Sequence, residues 1–179
     1  MAYISGSSDE AGEKPGEQAS GDMLQVEDAP QLESSGCVFC DRVRLPESND
    51  RANLILLRST HNFIILNLYP YNSAHLMIVP YRHTADLPSL DRETVAEMMA
   101  LAQRMVRVIG AEYKPEGYNL GMNLGTIAGA GVAEHLHMHV VPRWAGDTNF
   151  MPVVGSTKVI PELLERTYDR LRERLKAIR

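Results

Sequence analysis

His135-Leu136-His137-Met138-His139-Val140-Val141, running on into Pro142-Arg143-Trp144, is the stretch whose reading decides the fold. Three imidazoles alternate with apolar residues. A β-strand points successive side chains to opposite faces, so the spacing predicts a strand with the three His on one face and Leu136, Met138 and Val140 on the other. Imidazoles at i and i+2 of such a strand stand about 6.5–7 Å apart, close enough for a row of them to line one side of a phosphate-sized ligand. A plainer reading is an exposed polar strand face over an apolar core. Strict alternation of three of the chain's six His, just downstream of the glycine-rich Gly129-Ala130-Gly131, favours a site.

Composition bounds what surrounds that strand. With 179 residues and 44% hydrophobic content, the chain can bury one core of ordinary size, so a single folded domain is expected over residues 37–179. Residues 1–36 differ: Ser5-Gly6-Ser7-Ser8 and Pro15-Gly16 interrupt a segment with eight acids and one base. Such a segment cannot bury enough apolar surface to offset its ordering entropy, and it reads as a mobile, solubilising acidic extension. The remaining fifteen acids and seventeen bases leave residues 37–179 slightly positive although the whole chain carries −5, which suits an anionic ligand. No apolar run reaches the length of a membrane span, and the N-terminus has no signal-like basic and apolar segments, so a cytoplasmic protein without membrane partners is expected. The two cysteines, in Cys37-Val38-Phe39-Cys40, make a poor disulfide framework but half of a tetrahedral metal site, the alternative being two buried reduced thiols.

Periodicity supplies the other elements. Leu54 to Arg58 and His61 to Leu68 read as a hairpin across Ser59-Thr60, and His75 to Val79 as a third strand that Pro80 ends. Asp91 caps a predicted helix whose Val95, Met98, Met99, Ala102, Met105, Val106 and Ile109 follow a 3.6-residue period until Gly110 stops it. Tyr118, Leu120, Met122 and Leu124 alternate with Asn119, Gly121 and Asn123 as a fourth strand, and the His stretch is the fifth. Pro161 suits a first helical turn, and Leu164, Tyr168, Leu171, Leu175 and Ile178 supply a closing helix whose Arg residues read as a solvated face, not a nucleic-acid patch. The order predicts an α+β fold: an antiparallel sheet of about five strands covered by helices.

His135-x-His137-x-His139 followed by Val140-Val141 resembles the signature of the histidine-triad (HIT) family. The resemblance extends over Cys37-x-x-Cys40, Ala74-His75-Leu76, Val79-Pro80-x-x-His83, Asn123-x-Gly125 and the triad. Val141 to Phe150 is most similar to the nucleotide-cleaving branch that includes diadenosine tetraphosphate phosphorylases and, more distantly, fragile-histidine-triad hydrolases. It implies a HIT-like sheet, an adenine nucleotide or dinucleoside polyphosphate as substrate, no organic cofactor, and a homodimer or dimer of dimers that covers an open sheet edge. It also implies a structural zinc, with His83 and His135 completing the site begun by Cys37 and Cys40.

A neutral imidazole, with a reference pKa of about 6.5, is a nucleophile that survives as a leaving group, as cleavage at a nucleotidyl phosphorus requires. The resemblance implies that His137 forms the covalent nucleotidyl adduct, His139 donates to a phosphate oxygen, and His75 orients the row. It assigns Asn67 to the ribose, where a strand-end turn residue is the alternative. Asn123 offers an amide to a leaving phosphate or an attacking second substrate, and Gly129, Ala130 and Gly131 can present backbone N–H groups to phosphate oxygens. Trp144 opens the stretch that favours phosphate over water as the acceptor, although Gly129-Ala130-Gly131 departs from the Gly-Gly-Ser of the phosphorylases. Competing readings are a nucleoside phosphoramidate hydrolase, a non-catalytic nucleotide sensor, and a metal hydrolase built on His75, His137 and His139.

Overall fold

The computed structural model describes residues 34–147 and 162–178. Expectations for the acidic segment before Ser34, for Thr148, Asn149 and Phe150, and for Pro161 fall outside the described residues. Strands β1 (Ile55–Arg58), β2 (Asn62–Leu66), β3 (Leu76–Pro80), β4 (Gly117–Met122) and β5 (Met138–Arg143) form one antiparallel sheet in the order β1-β2-β3-β5-β4. The predicted α+β architecture is the observed one. β2 and β3 are buried at every position, the pattern of central strands covered on both faces.

The long helix α3 (Arg92–Tyr113) lies across β2, β3 and β5, and the closing helix α4 (Leu164–Ala177) packs on α3 and β1. Asp91 caps α3 as expected, its carboxylate accepting from the Thr94 amide at 2.7 Å. The buried stripe is Met98, Leu101, Ala102, Met105, Val108 and Ile109, whereas Val95 and Met99 are exposed. Gly110 does not stop the helix, which ends at Lys114 in the left-handed region (φ 49°). The Tyr118 hydroxyl packs beside Gly110 and donates to Val106 O at 3.0 Å; a Cβ at position 110 would meet that hydroxyl at 3.4 Å, an ordinary contact. The Arg face of α4 is ion-paired as well as solvated, with Arg170 and Arg174 both on Glu112. Among the described residues no helix is long and apolar enough to cross a membrane.

The β1–β2 turn is held from outside the sheet. Glu97 on α3 accepts from the Ser59 hydroxyl, the Thr60, His61 and Asn62 amides and the Asn62 side chain at 2.8–3.0 Å. Burial pushes its carboxyl up, but these five donors outweigh that cost and hold its pKa at about 2.

Two differences from the periodicity bear on the site. β5 begins at Met138, so His135 and His137 precede the ladder and only His139 belongs to it. The chain turns there because the Leu136 amide donates to Thr84 O at 2.8 Å instead of joining β3. Ahead of the sheet, Cys37-x-x-Cys40 opens helix α1 (Val38–Arg44), followed by a short helix α2 (Asp50–Asn53). Seven residues are too few for a helix to persist unaided. α1 is held at its start by Asp41, which accepts from Ser34 Oγ and Ser35 N, and at its end by Arg58, which donates to Val43 O and Leu45 O.

Candidate functional site

Cys37 and Cys40 sit one helical turn apart at the start of α1, so both thiols face the same way, toward His83 and His135. Cys37 Sγ lies 3.3 Å from His135 Nδ1, Cys40 Sγ 3.4 Å from His83 Nδ1 and 3.6 Å from His135 Nδ1, and the two Nδ1 atoms 3.2 Å from each other. All four donor atoms fall within 4.8 Å of one another. Bonds of about 2.0–2.3 Å to a tetrahedral ion put its ligands about 3.3–3.8 Å apart, and the four distances above are close to those edges. The His135 tautomer agrees: Nε2 lies 2.8 Å from Pro80 O, which can only accept, so Nε2 carries the proton and Nδ1 turns a lone pair to the cluster. Burial pushes the His135 pKa down, keeping the ring neutral, and burial with the neighbouring Cys37 thiol pushes Cys40 up, the cost a bound cation would reverse.

The same logic places protons on three further rings. His137 Nδ1 lies 2.8 Å from His135 O, so Nδ1–H donates and Nε2 keeps a free lone pair. Beside it the Tyr71 amide donates to His75 Nδ1 at 3.0 Å, which leaves the His75 proton on Nε2. His75 Nε2–H then donates to His139 Nδ1 at 2.9 Å, and His139 holds its own proton on Nε2. Burial, then His137, push the His139 pKa down to about 4, so it stays neutral near pH 7. The His137 and His139 rings are 4.9 Å apart at 77°. The outer ring nitrogen of His137 and an N–H donor of His139 thus stand side by side.

Tyr71 stacks on His75, ring centres 4.9 Å apart, and Ala74 in the left-handed region (φ 61°) turns the chain into β3 just before that ring. A non-glycine residue held there costs of order 1 kcal/mol. Asn72 fastens the same turn to the end of β5, its amide donating to Pro142 O at 2.9 Å and Asp147 Oδ2 at 2.7 Å.

His137 and His139 open into a cavity of about 330 Å³. Val38 and Phe39 of α1, Ile65 and Leu66 of β2, Met77 of β3 and Val132 make its apolar walls; Asn67, Gly129 and Gly131 also line it. Phe39 lies between the clusters, 5.5 Å from the His135 ring and 5.2 Å from the His137 ring. Asn67 is tied locally, its Oδ1 accepting from the Tyr69 amide at 3.0 Å and its Nδ2 3.4 Å from the His75 ring nitrogens.

The glycine-rich loop differs in detail from expectation. Gly129 (φ 84°) closes a turn over Thr126–Ala128 in a conformation L side chains rarely adopt. Closing that turn uses two of the amides expected for phosphate, because Gly129 N donates to Thr126 O at 3.0 Å and Ala130 N to Gly125 O at 3.4 Å. Ala130, Asn123 and Trp144 are not among the cavity's lining residues. Asn123 Nδ2 donates to Gly129 O at 3.3 Å, and the half-buried Trp144 donates its amide to Asp147 Oδ2 at 3.2 Å.

Of the expected groups, the structure brings Cys37, Cys40, His83 and His135 into one cluster, and His137, His139, Asn67, Gly129 and Gly131 to one cavity, with His75 behind His139. It does not make a metal site of His75, His137 and His139: among the described residues the group of three or more ligand atoms that converges is Cys37, Cys40, His83 and His135, and His75 Nε2 meets His139 Nδ1 instead. Sequence reasoning missed Val38, Phe39, Arg42 and Tyr71. The usable signal was that Val38 and Phe39 lie between two candidate ligands and Arg42 follows at helical spacing.

The HIT domain family model matches residues 49–146. The chain is 50% identical over 123 residues to "AP-4-A phosphorylase" of Mycobacterium tuberculosis, covering 69% of this chain and 63% of that one, so it spans less than two thirds of that relative. It is 29% identical over 107 residues to an adenosine 5'-monophosphoramidase of Schizosaccharomyces pombe, covering 60% of this chain and 74% of that one. Among solved structures, a zinc-bound histidine triad family protein from Mycobacterium smegmatis aligns with a TM-score of 0.63 at 31% identity, covering 79% of this chain and 94% of that one. With the family match spanning more than half its length and the triad built as described, this chain belongs to the HIT family.

Proposed function

We propose that the chain cleaves dinucleoside polyphosphates, diadenosine tetraphosphate first among them, through a His137–AMP intermediate. The observation that carries this reading is the placement of protons: a lone pair on His137 Nε2 beside an N–H on His139 Nε2, at the mouth of a largely apolar cavity. His137 Nε2 attacks the phosphorus next to one adenosine; the P–O bond to the remainder breaks, and ATP leaves with the bonding pair. The His135 carbonyl, accepting from Nδ1, supports the positive charge the ring gains, and His139 Nε2–H donates to a phosphate oxygen. Oxygen of inorganic phosphate then attacks the adduct, giving ADP and freeing His137; water at that step gives AMP.

Cys37, Cys40, His83 and His135 hold zinc in this reading, a donor set that fits on chemistry and spacing. Bound there, the ion would tie α1 to His135 and serve a structural role, with the reaction left to His137 and His139. Asn67 binds the ribose, Asn123 braces the Gly129 loop, and Gly131 offers close approach to a phosphate. A homodimer is part of the reading, because β4 is a sheet edge with Asn119, Leu120 and Gly121 exposed.

The similarity to an adenosine 5'-monophosphoramidase favours a second reading, hydrolysis of a P–N bond, since the His137 adduct contains such a bond. Product analysis separates them. Diadenosine tetraphosphate with phosphate should give ADP and ATP, and without it AMP and ATP or no reaction. Cleavage of adenosine phosphoramidate with diadenosine tetraphosphate left intact would replace the first reading by the second.

A further inference from the structure

Arg42 lines the nucleotide cavity and has no role in the chemistry above. It is the only Lys, Arg, Asp or Glu among the lining residues, and the wall around it is apolar. Among the described residues its one hydrogen bond is long, Nη1 to Asn53 O at 3.5 Å, so its donors are largely unspent. It also borders a second hollow, with Asp41, Leu45 and Asn53, and so stands at the cavity's edge.

Its place on α1 sets its distance from the reacting end. Residues three and four apart share a helix face, so Val38, Phe39 and Arg42 present one face to the cavity. The helix starts at the cysteines beside His135, and Phe39 lies 5.2 Å from the His137 ring. A rise of about 1.5 Å per residue puts Arg42 about 4.5 Å beyond Phe39 along the axis, away from the cysteine end of the helix. A nucleotide bonded through phosphorus to His137 that runs over Phe39 therefore carries its base, not its phosphate, toward Arg42.

Building on the nucleotide-cleaving reading, we propose that Arg42 is a base-binding residue, its guanidinium donating to the acceptor nitrogens on the edge of a purine whose faces lie on Phe39 and Ile65. The chemistry is complementary. A purine has apolar faces and a rim of acceptors; the cavity has apolar walls and, at the end remote from His137, a planar fork of donors. Lysine at this position keeps the charge but loses the fork.

The test is calorimetric binding of AMP and of ribose 5-phosphate to the native full chain and to Arg42→Met and Arg42→Lys. Met preserves the apolar stem, and melting curves check that both variants fold as the native chain does. Arg42→Met should weaken AMP about tenfold, the loss expected for one hydrogen bond from a charged donor, and leave ribose 5-phosphate within twofold. Arg42→Lys should weaken AMP nearly as much. Unchanged AMP affinity in a folded Arg42→Met overturns the proposal, as does equal weakening of both ligands, which would put the guanidinium on the phosphate. Native protein that binds neither ligand overturns the nucleotide reading itself, together with this one.

Discussion

Replacing His75 with Ala is expected to slow turnover about tenfold and leave nucleotide affinity nearly unchanged. His75 passes the orientation of the Tyr71 amide to His139 through two hydrogen bonds of 3.0 and 2.9 Å, which keeps the His139 proton on Nε2. One such neutral bond is worth about 0.5–1.5 kcal/mol net, and 1.4 kcal/mol is a factor of ten, so losing it costs about two- to twelvefold. His139→Ala sets the ceiling, because removing a donor to developing charge costs about 10²–10³. Stability falls too: His75 is 1% exposed, and Ala leaves a buried void and the Tyr71 amide without this acceptor. About 2–4 kcal/mol is expected, or roughly 4–16 °C in Tm for a chain of this size. His75→Gln keeps an acceptor for Tyr71 and a donor for His139, and should recover most of the rate. The assay is kcat and KM for all three proteins well below their melting points, with ¹⁵N NMR reading the His139 tautomer. A native rate in His75→Ala, or His75→Gln no faster than His75→Ala with both folded, refutes the reasoning.

Two further outcomes follow from the geometry. Glu97 has its folded pKa depressed to about 2 from 4.5, so its contribution is present above pH 4.5 and is lost as pH falls through 2. Discounted for partial exposure, that is about 2 kcal/mol, so Glu97→Gln should lower Tm by about 4–8 °C at pH 7, the gap narrowing as both proteins are melted at successively lower pH from 4.5 to 2. Cys37→Ser with Cys40→Ser should abolish stoichiometric zinc in metal analysis and lower Tm, because α1 loses its anchor to His135; full zinc content in the double variant would remove those thiols from the site.

The strands were legible because the apolar runs Phe63 to Leu66 and Leu76 to Val79 are too short for buried helices and are bounded by the turn residues Ser59-Thr60, Pro70 to Ser73 and Pro80. The Asp91 cap was legible because its partner is three residues away. Gly110 misled because a lone glycine costs a helix only about 1 kcal/mol, which the packing of α3 on the sheet outweighs, and the left-handed cap is Lys114. α1 was hidden for a related reason: it is held by Arg58, Asp41 and the cysteine cluster, none of which is a local helix signal. In the site, alternation correctly paired His137 with His139 at one cavity but gave His135 the same face. The Leu136–Thr84 bond turns that residue to the cysteines, a tertiary event that a period-two pattern does not record. The tautomers, too, depend on Pro80 O, His135 O and the Tyr71 amide, backbone groups whose positions the folded chain alone defines.

Trapping the adduct shows whether His137 Nε2 takes the nucleotidyl group. The protein is mixed with diadenosine tetraphosphate in phosphate-free buffer, quenched without acid and digested, and its peptides are weighed. AMP on His137 is expected, together with a fall of several orders of magnitude in turnover for His137→Ala at nearly unchanged nucleotide affinity, the pattern of an interaction made only along the reaction path. AMP on another residue, or near-native turnover by His137→Ala, would contradict that role for His137.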